Sequence, residues 1–329
     1  MDSITKNRKT DAQISVMMKT AVGSKCDIDL IRELTNGYFN AVYYVKMSDG
    51  KEYVLKIAPK KTTKILRHEK NIMCAEVQSL RLASECTDIP VPKVFYYSKD
   101  ESADDEEYAV IEWVDGENYN SVFMNNSNEE NAKILTCIGE LVKELHQIKS
   151  SFFGSLVCPE AQFSTWKEAF LNMVKNILSD GEDAGVKLPF EYDYLTQLVG
   201  KASFCLEEVD TPCLIHGDLW PGNIMVKDNE IVSVLDFERT FYGDPLMEYP
   251  FGLLRNNKGF LQGYGEEKYI DFAPSVRLRR TLYNLYHHLV VRIERPYRGY
   301  KNAKEEFFID QRMIGEVKLI EKQLIDFCN

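Results

Sequence analysis

His216, Gly217, Asp218, Leu219, Trp220, Pro221, Gly222 and Asn223 run between two short apolar stretches, Cys213–Leu214–Ile215 and Ile224–Met225–Val226. Thirteen residues beyond Asn223, a further apolar run (231–235) ends in Asp236, Phe237 and Glu238. Phosphoryl transfer needs such a set. One carboxylate must orient an attacking hydroxyl and accept its proton, and oxygen ligands must hold a Mg²⁺ that bridges nucleotide phosphates. Asp218 suits the first task; Asn223 and Asp236 suit the second. Taken singly, Asp218 reads as a turn residue, Asn223 as an Asx-turn and Asp236 as a cap. The chemical reading rests on the three occurring together.

The elements that must position these residues fall into two groups. Residues 11–22 read as a short helix with Ile14, Met17 and Met18 on one face and Gly23 as its stop. Residues 41–47 and 52–58 are rich in β-branched and aromatic residues and flank Ser48–Asp49–Gly50, a hairpin signal. From 65 to 86 the apolar period becomes helical. Pro90 and Pro92 end that helix, and extended segments follow at 93–97 and 108–114. The acid-rich stretch from Lys99 to Glu107 between them reads as a solvated hairpin tip. Beyond Glu117 the pattern is mainly helical, at 131–149, 165–178 and 192–208. Three short strands (213–215, 224–226, 231–235) carry the chemical residues, and helices with Tyr-rich faces fill 245–329.

The run His216–Gly217–Asp218–Leu219–Trp220–Pro221–Gly222–Asn223, with Leu235–Asp236–Phe237–Glu238 and Gly243–Asp244–Pro245, resembles the aminoglycoside phosphotransferase family. That family has His-Gly-Asp where protein kinases have His-Arg-Asp. The resemblance spans nearly the whole chain in element order. It implies an α+β, bilobal protein-kinase-like fold. An N-terminal antiparallel-sheet lobe with one main helix (1–114) would bind nucleotide, and a mainly helical C-terminal lobe (115–329) would carry the catalytic loop and acceptor site. It also implies a phosphotransferase that uses ATP or GTP, with Mg²⁺, on a hydroxyl of a small molecule.

Residue by residue, the resemblance makes Asp218 the catalytic base and Asn223 and Asp236 the metal ligands. Lys56, central on its strand, becomes the phosphate-contacting cation, although a lone strand lysine would otherwise read as outward-facing. Glu76 matches the helix glutamate that pairs with this lysine, and Glu69 is the rival. Gly37, Tyr38, Phe39 and Asn40 look like the phosphate-covering loop. Members often carry Ser before the Asn; here Phe39 removes that hydroxyl and leaves backbone N–H groups for the task. The Glu112 carbonyl and the Val114 N–H match the linker that meets the purine edge. His216 is expected to brace the loop rather than move protons. Trp220 reads equally as packing or as acceptor-pocket wall. The helix carrying Tyr283, Tyr286, His287 and His288 with Arg277, Arg279 and Arg280 reads as core packing with a solvated face.

The acceptor is less defined. Trp220 resembles fructosamine kinases and Asp-Phe-Glu resembles choline kinases, so an aminoglycoside-type antibiotic stands beside a metabolic amino-alcohol or sugar substrate. The Ala-Pro-Glu and Asp-Phe-Gly signatures of protein kinases do not occur. A kinase-like scaffold without turnover is disfavoured because every expected catalytic side chain is present.

Composition sets the outer bounds. The 329 residues suggest two domains or lobes at roughly 150 residues each. Forty Lys and Arg against 51 Asp and Glu give a net charge of −11. That balance argues against nucleic acid as a partner, and it would suit a cationic acceptor. No apolar run of about 18 residues is present, and the first twenty residues lack a secretory core, so neither a membrane span nor secretion is expected. Eight cysteines without Cys-x-x-Cys spacing read as reduced, mostly buried thiols of a cytoplasmic protein.

Overall fold

The computed structural model describes residues 3–23, 27–35, 37–99, 107–248, 252, 254, 257–265 and 273–328. Cys26, the side chain of Cys328 and most of the acid-rich stretch lie outside them. The first part is a five-stranded antiparallel sheet ordered β1-β2-β3-β5-β4, from β1 (Ile28–Glu33), β2 (Ala41–Met47), β3 (Glu52–Ile57), β4 (Val94–Ser98) and β5 (Tyr108–Glu112). Side chains alternate across it. Tyr43, Val45, Met47, Tyr53, Leu55 and Ile57 pack with Ile14, Met17 and Met18 of α1 (Asp11–Val22). On the other face Ala58 and Ala109 meet Met73 and Val77 of α2 (Ile72–Cys86). Lys56 pairs in register with Ala109, so the period of two places it on the α2 face.

The helix expected from 65 is split. A 3₁₀ turn spans Arg67–Glu69, Asn71 takes the left-handed conformation (φ 59°), and α2 starts only at Ile72. Asn is among the residues that tolerate this backbone, and Glu69 is drawn aside by accepting the Leu66 N–H at 2.9 Å.

The remainder is helical with two small sheets. The helices are α3 (Tyr119–Val122), α4 (Asn128–Leu145), α5 (Trp166–Asp183), α6 (Tyr192–Ala202), α7 (Lys258–Tyr264), α8 (Pro274–Arg298) and α9 (Ala303–Cys328). Helix α4 begins three residues earlier than its apolar period, because Ser127 and Glu130 form a reciprocal capping box. Helix α6 stops at Ala202, and the rest of the expected 192–208 helix is a 3₁₀ turn (Ser203–Glu208). Trp166 and Phe170 of α5 pack with Leu282, Leu285 and Leu289 of α8 in the main core. Among the described residues no helix is long and apolar enough to cross a membrane.

The small sheets aim the chemical residues. Strands β6 (Glu117–Asn118), β10 (Ile224–Lys227) and β11 (Glu230–Val234) form one, ordered β11-β10-β6. Strands β7 (Phe153–Ser155), β8 (Gln162–Phe163), β9 (Cys213–Ile215) and β12 (Phe241–Gly243) form the other, ordered β8-β7-β12-β9. Residues 216–223 therefore bridge two sheets, held by β9 at one end and β10 at the other. The expectation of mostly buried cysteines needs correction: Cys205 and Cys213 are buried, Cys74, Cys137 and Cys158 are half-buried, and Cys86 is exposed. Cys86 closes an amphipathic helix, and its position in the period faces water.

Candidate active site

Lys56 is buried between two carboxylates, with Nζ 2.6 Å from Glu76 Oε1 and 2.8 Å from Asp236 Oδ1. Burying a lone ammonium costs several kcal/mol, and paired carboxylates offset that. Burial opposes the charge on Lys56, but Asp236 and Glu76 prevail and raise its pKa. At Asp236 burial is outweighed by Lys56, and the carboxyl is held low. At Glu76 burial wins over Lys56 and raises the pKa. The rival Glu69 is taken by an ion pair with Arg298.

Asp236 sits at φ 67° and ψ 52°, a left-handed conformation that costs an L-residue about 1–2 kcal/mol. The turn it makes brings Glu238 back beside it. Carboxylate oxygens of Glu76, Asp236 and Glu238 lie within 4.8 Å of one another. Burial, and next the charge of Asp236, pushes Glu238 well above its ordinary range. Sequence reasoning singled out Asp236 and not Glu238. The only available signal was its place two residues on, across a turn that brings it back.

The loop 216–223 is fixed by its own hydrogen bonds. His216 Nε2 donates to the Leu235 carbonyl at 2.9 Å, and Nδ1 accepts the Asp218 N–H at 3.3 Å. With both nitrogens engaged and burial lowering its pKa, His216 is a neutral brace. Glu248 accepts the His216 N–H at 2.7 Å and the Gly217 N–H at 3.1 Å. This buried acid, 32 residues from His216, was not found from sequence. Gly217 has φ +79°, and a Cβ there would stand 2.5 Å from the Arg239 carbonyl, so the turn admits only glycine. Asn223 Nδ2 donates to the Asp218 carbonyl at 2.9 Å, which directs its Oδ1 the other way. Asp218 is pushed up to about 7 by burial; the charge of Arg239 opposes this and that of Asp236 adds to it.

The phosphate-loop candidates divide. Asn40 is buried and donates to Glu238 Oε2 at 3.0 Å. Gly37 is exposed, has no positive φ and has open space around it, so its backbone places no demand for glycine. Phe39 is buried, with its ring 4.8 Å from the Arg298 guanidinium. Glu112 ends β5, and its N–H donates to the Lys93 carbonyl at 2.9 Å; Val114 follows two residues later.

A cavity of about 880 Å³ opens at Gly217, beside Asp218. Tyr283, Tyr286, His287 and His288 line it, which adds a cavity wall to the expected core and solvated face: Tyr283 and Tyr286 are buried in the main core and Arg277 is exposed. Tyr283 and Tyr286 also pack against Phe170 of α5, with ring centroids 5.2 and 5.8 Å away, and the half-buried His287 and His288 lie beside them. Arg279 instead is buried against Asp244 at 3.0 Å. Tyr283 donates to the same Asp244 oxygen at 2.7 Å and the Leu246 N–H to the other at 3.1 Å, so Gly243–Asp244–Pro245 is a structural knot. Trp220 is not on the cavity wall; it is 38 % exposed and its ring covers Gly222, where a Cβ would meet it at 2.2 Å. The wall carries Arg67, Lys70, Arg239 and Arg312, and against them Glu160, Glu238, Glu248 and Glu316.

An antiparallel sheet with a Lys–Glu pair, joined to a helical part that presents an Asp-bearing loop and a metal-type aspartate, defines a kinase-like phosphotransferase fold. The model of the phosphotransferase enzyme family matches residues 30–265, and the chain belongs to that family. It is similar to the chloroplastic protein-ribulosamine 3-kinase of Oryza sativa subsp. japonica, 26% identical over 180 residues, covering 47% of this chain and 48% of that protein. A ketoamine kinase named as probable in Synechocystis is 37% identical over 79 residues, 23% of this chain and 26% of that protein. The matched part thus spans about half, or less, of the length of these curated relatives. Among solved structures, one from Haemophilus somnus 129PT assigned as a fructosamine-3-kinase superposes with TM-score 0.68 at 19% identity, covering 93% of this chain and 96% of that one. A thermostable aminoglycoside phosphotransferase in ternary complex with AMP-PNP and hygromycin B gives 0.61 at 17% identity, covering 93% and 98%. These likenesses establish the fold.

Proposed function

We propose that this protein transfers the γ-phosphoryl group of ATP or GTP to a hydroxyl of a small molecule. The nucleotide would lie between the sheet-bearing lobe (1–114) and the helical lobe (115–329). The observation that carries the reading is the buried Lys56 bound to both Glu76 and Asp236, on the loop side that also presents Asp218 and Asn223. Asp218 orients the acceptor hydroxyl and takes its proton. A carboxyl whose pKa is near 7 is well matched to that exchange at neutral pH. Lys56, fixed by Glu76, steadies the phosphates, while the amide groups of residues 37–40 cover them and the backbone of Glu112 and Val114 meets the purine.

The donor set fits a Mg²⁺ ion. All candidate ligands are oxygens, Asn223 turns Oδ1 away from its own hydrogen bond, and burial with the charge of Asp236 outweighs the cations Lys56 and Arg239 at Glu238, so further positive charge would be favourable there. Asn223 and Asp236 would hold the ion, which when bound supplies charge neutralisation for the phosphates. Catalysis by the chain itself is then positioning and electrostatics.

For the acceptor, the wall of the cavity favours a ketosamine over a polycationic antibiotic. Among the described residues its four Lys and Arg match its four Glu, so a polycation would meet repulsion there as well as attraction. The relatives named for ribulosamine and ketoamine point the same way. A screen of ATP and GTP consumption across ketosamines, aminoglycosides, choline and amino alcohols tests this. Turnover confined to ketosamines is the expected result, and turnover confined to aminoglycosides would refute it.

A further inference from the structure

Ser3, Thr5 and Asn7 form a buried polar run that the reaction above leaves without a task. The Thr5 hydroxyl lies 3.0 Å from the Tyr38 carbonyl oxygen and 2.9 Å from that of Phe39, donating to this pair. Ser3 Oγ sits 2.9 Å from the same hydroxyl and helps to set its direction.

We infer that Thr5 is a positioning residue that turns the peptide N–H groups of Phe39 and Asn40 toward the phosphates of the nucleotide. In a planar trans peptide the N–H points opposite to the preceding C=O. Two successive carbonyls converge on Thr5, so the next two N–H groups both face away from it. Successive N–H groups on one side make a concavity for anions. Among the described residues neither of these two N–H groups donates a hydrogen bond. The side facing away from Thr5 is the cleft side, because Asn40 reaches across to Glu238 there. The loop is also held at its tip. Phe39 lies on Arg298, the Tyr38 ring packs edge-on to Tyr300 at 5.5 Å, and the Ile4 N–H donates to the Arg298 carbonyl at 3.4 Å. With Phe39 in place of a hydroxyl residue, these two amides are what the loop tip offers to an anion.

The inference rests on the proposed nucleotide site, and its test separates the two. Thr5→Val removes the hydroxyl at nearly constant volume, and Thr5→Ser restores it. Calorimetry of the full chain should show Mg·AMP-PNP bound about tenfold more weakly by Thr5→Val, with adenosine affinity unchanged and Thr5→Ser like the wild type. A merely structural role would weaken both ligands together, and that result, or no change in either, overturns the role of Thr5. Wild-type protein that binds neither ligand overturns the nucleotide reading together with this one. Should Thr5→Val fail to fold, the Phe39 and Asn40 amide resonances of the wild type must move with Mg·AMP-PNP and not with adenosine. Resonances unmoved by Mg·AMP-PNP overturn the inference.

Discussion

Glu248→Gln is the substitution whose cost follows most directly from the geometry. Glu248 is 1 % exposed, and its two oxygens accept the backbone N–H groups of His216 and Gly217. A hydrogen bond to an ionised group contributes about 1.5–3 kcal/mol. Glutamine keeps one acceptor oxygen and turns an NH₂ toward the other N–H, so one bond is lost and a buried donor is stranded. We expect a loss of about 2–4 kcal/mol, read from urea unfolding midpoints at pH 7 with an unchanged slope. The pH dependence gives a second check. Burial raises the pKa of Glu248, but its neighbour His146 and the backbone N–H of His216 favour the ionised carboxylate and outweigh it, so the net shift is downward. A depressed folded pKa contributes stability above the unfolded value and loses it as pH falls through the folded one. The gap between wild type and Glu248→Gln should therefore narrow below about pH 4.5. A gap under about 0.5 kcal/mol at pH 7, or one that widens on acidification, would refute the reasoning.

Three further outcomes are expected. Because Asp218 must be ionised to accept a proton and burial raises it to about 7, kcat/KM should fall toward tenfold per pH unit below that value, measured as an initial-rate profile from pH 5 to 9. Lys56→Ala leaves Glu76 and Asp236 facing each other without a cation; it should lower stability by about 3–5 kcal/mol at pH 7 and abolish nucleotide binding, checked by denaturation and calorimetry. Removing divalent ions with a chelator should eliminate the thermal stabilisation given by ATP, and Mg²⁺ should restore it in differential scanning fluorimetry.

Much of the sheet and its helices was legible in the sequence because long amphipathic runs carry their own period. Helix α1 and strand β2 have the bounds that their apolar residues indicate. Strands β6, β7, β8 and β12 are two or three residues long, too short to show any period, yet they fix where residues 216–223 sit. Within the site, Lys56, Asp218, Asn223 and Asp236 stood out because their residue types recur at a recognisable spacing. Glu248 and Glu238 did not, since a glutamate in sequence gives no sign that it will be buried against backbone N–H groups or folded back by a left-handed aspartate. Thr5 lay further still from notice: its partners are 33 and 34 residues away, and both are carbonyls, which no side-chain pattern reveals.

Asp218→Asn tests the central claim most directly. Asparagine preserves shape and can still hydrogen-bond a hydroxyl, but it cannot take the proton. With Mg·ATP and a ketosamine acceptor, single-turnover transfer should slow by about 10²–10⁴-fold while calorimetric nucleotide affinity stays within about threefold of wild type. Transfer by Asp218→Asn within tenfold of the wild-type rate would contradict the account.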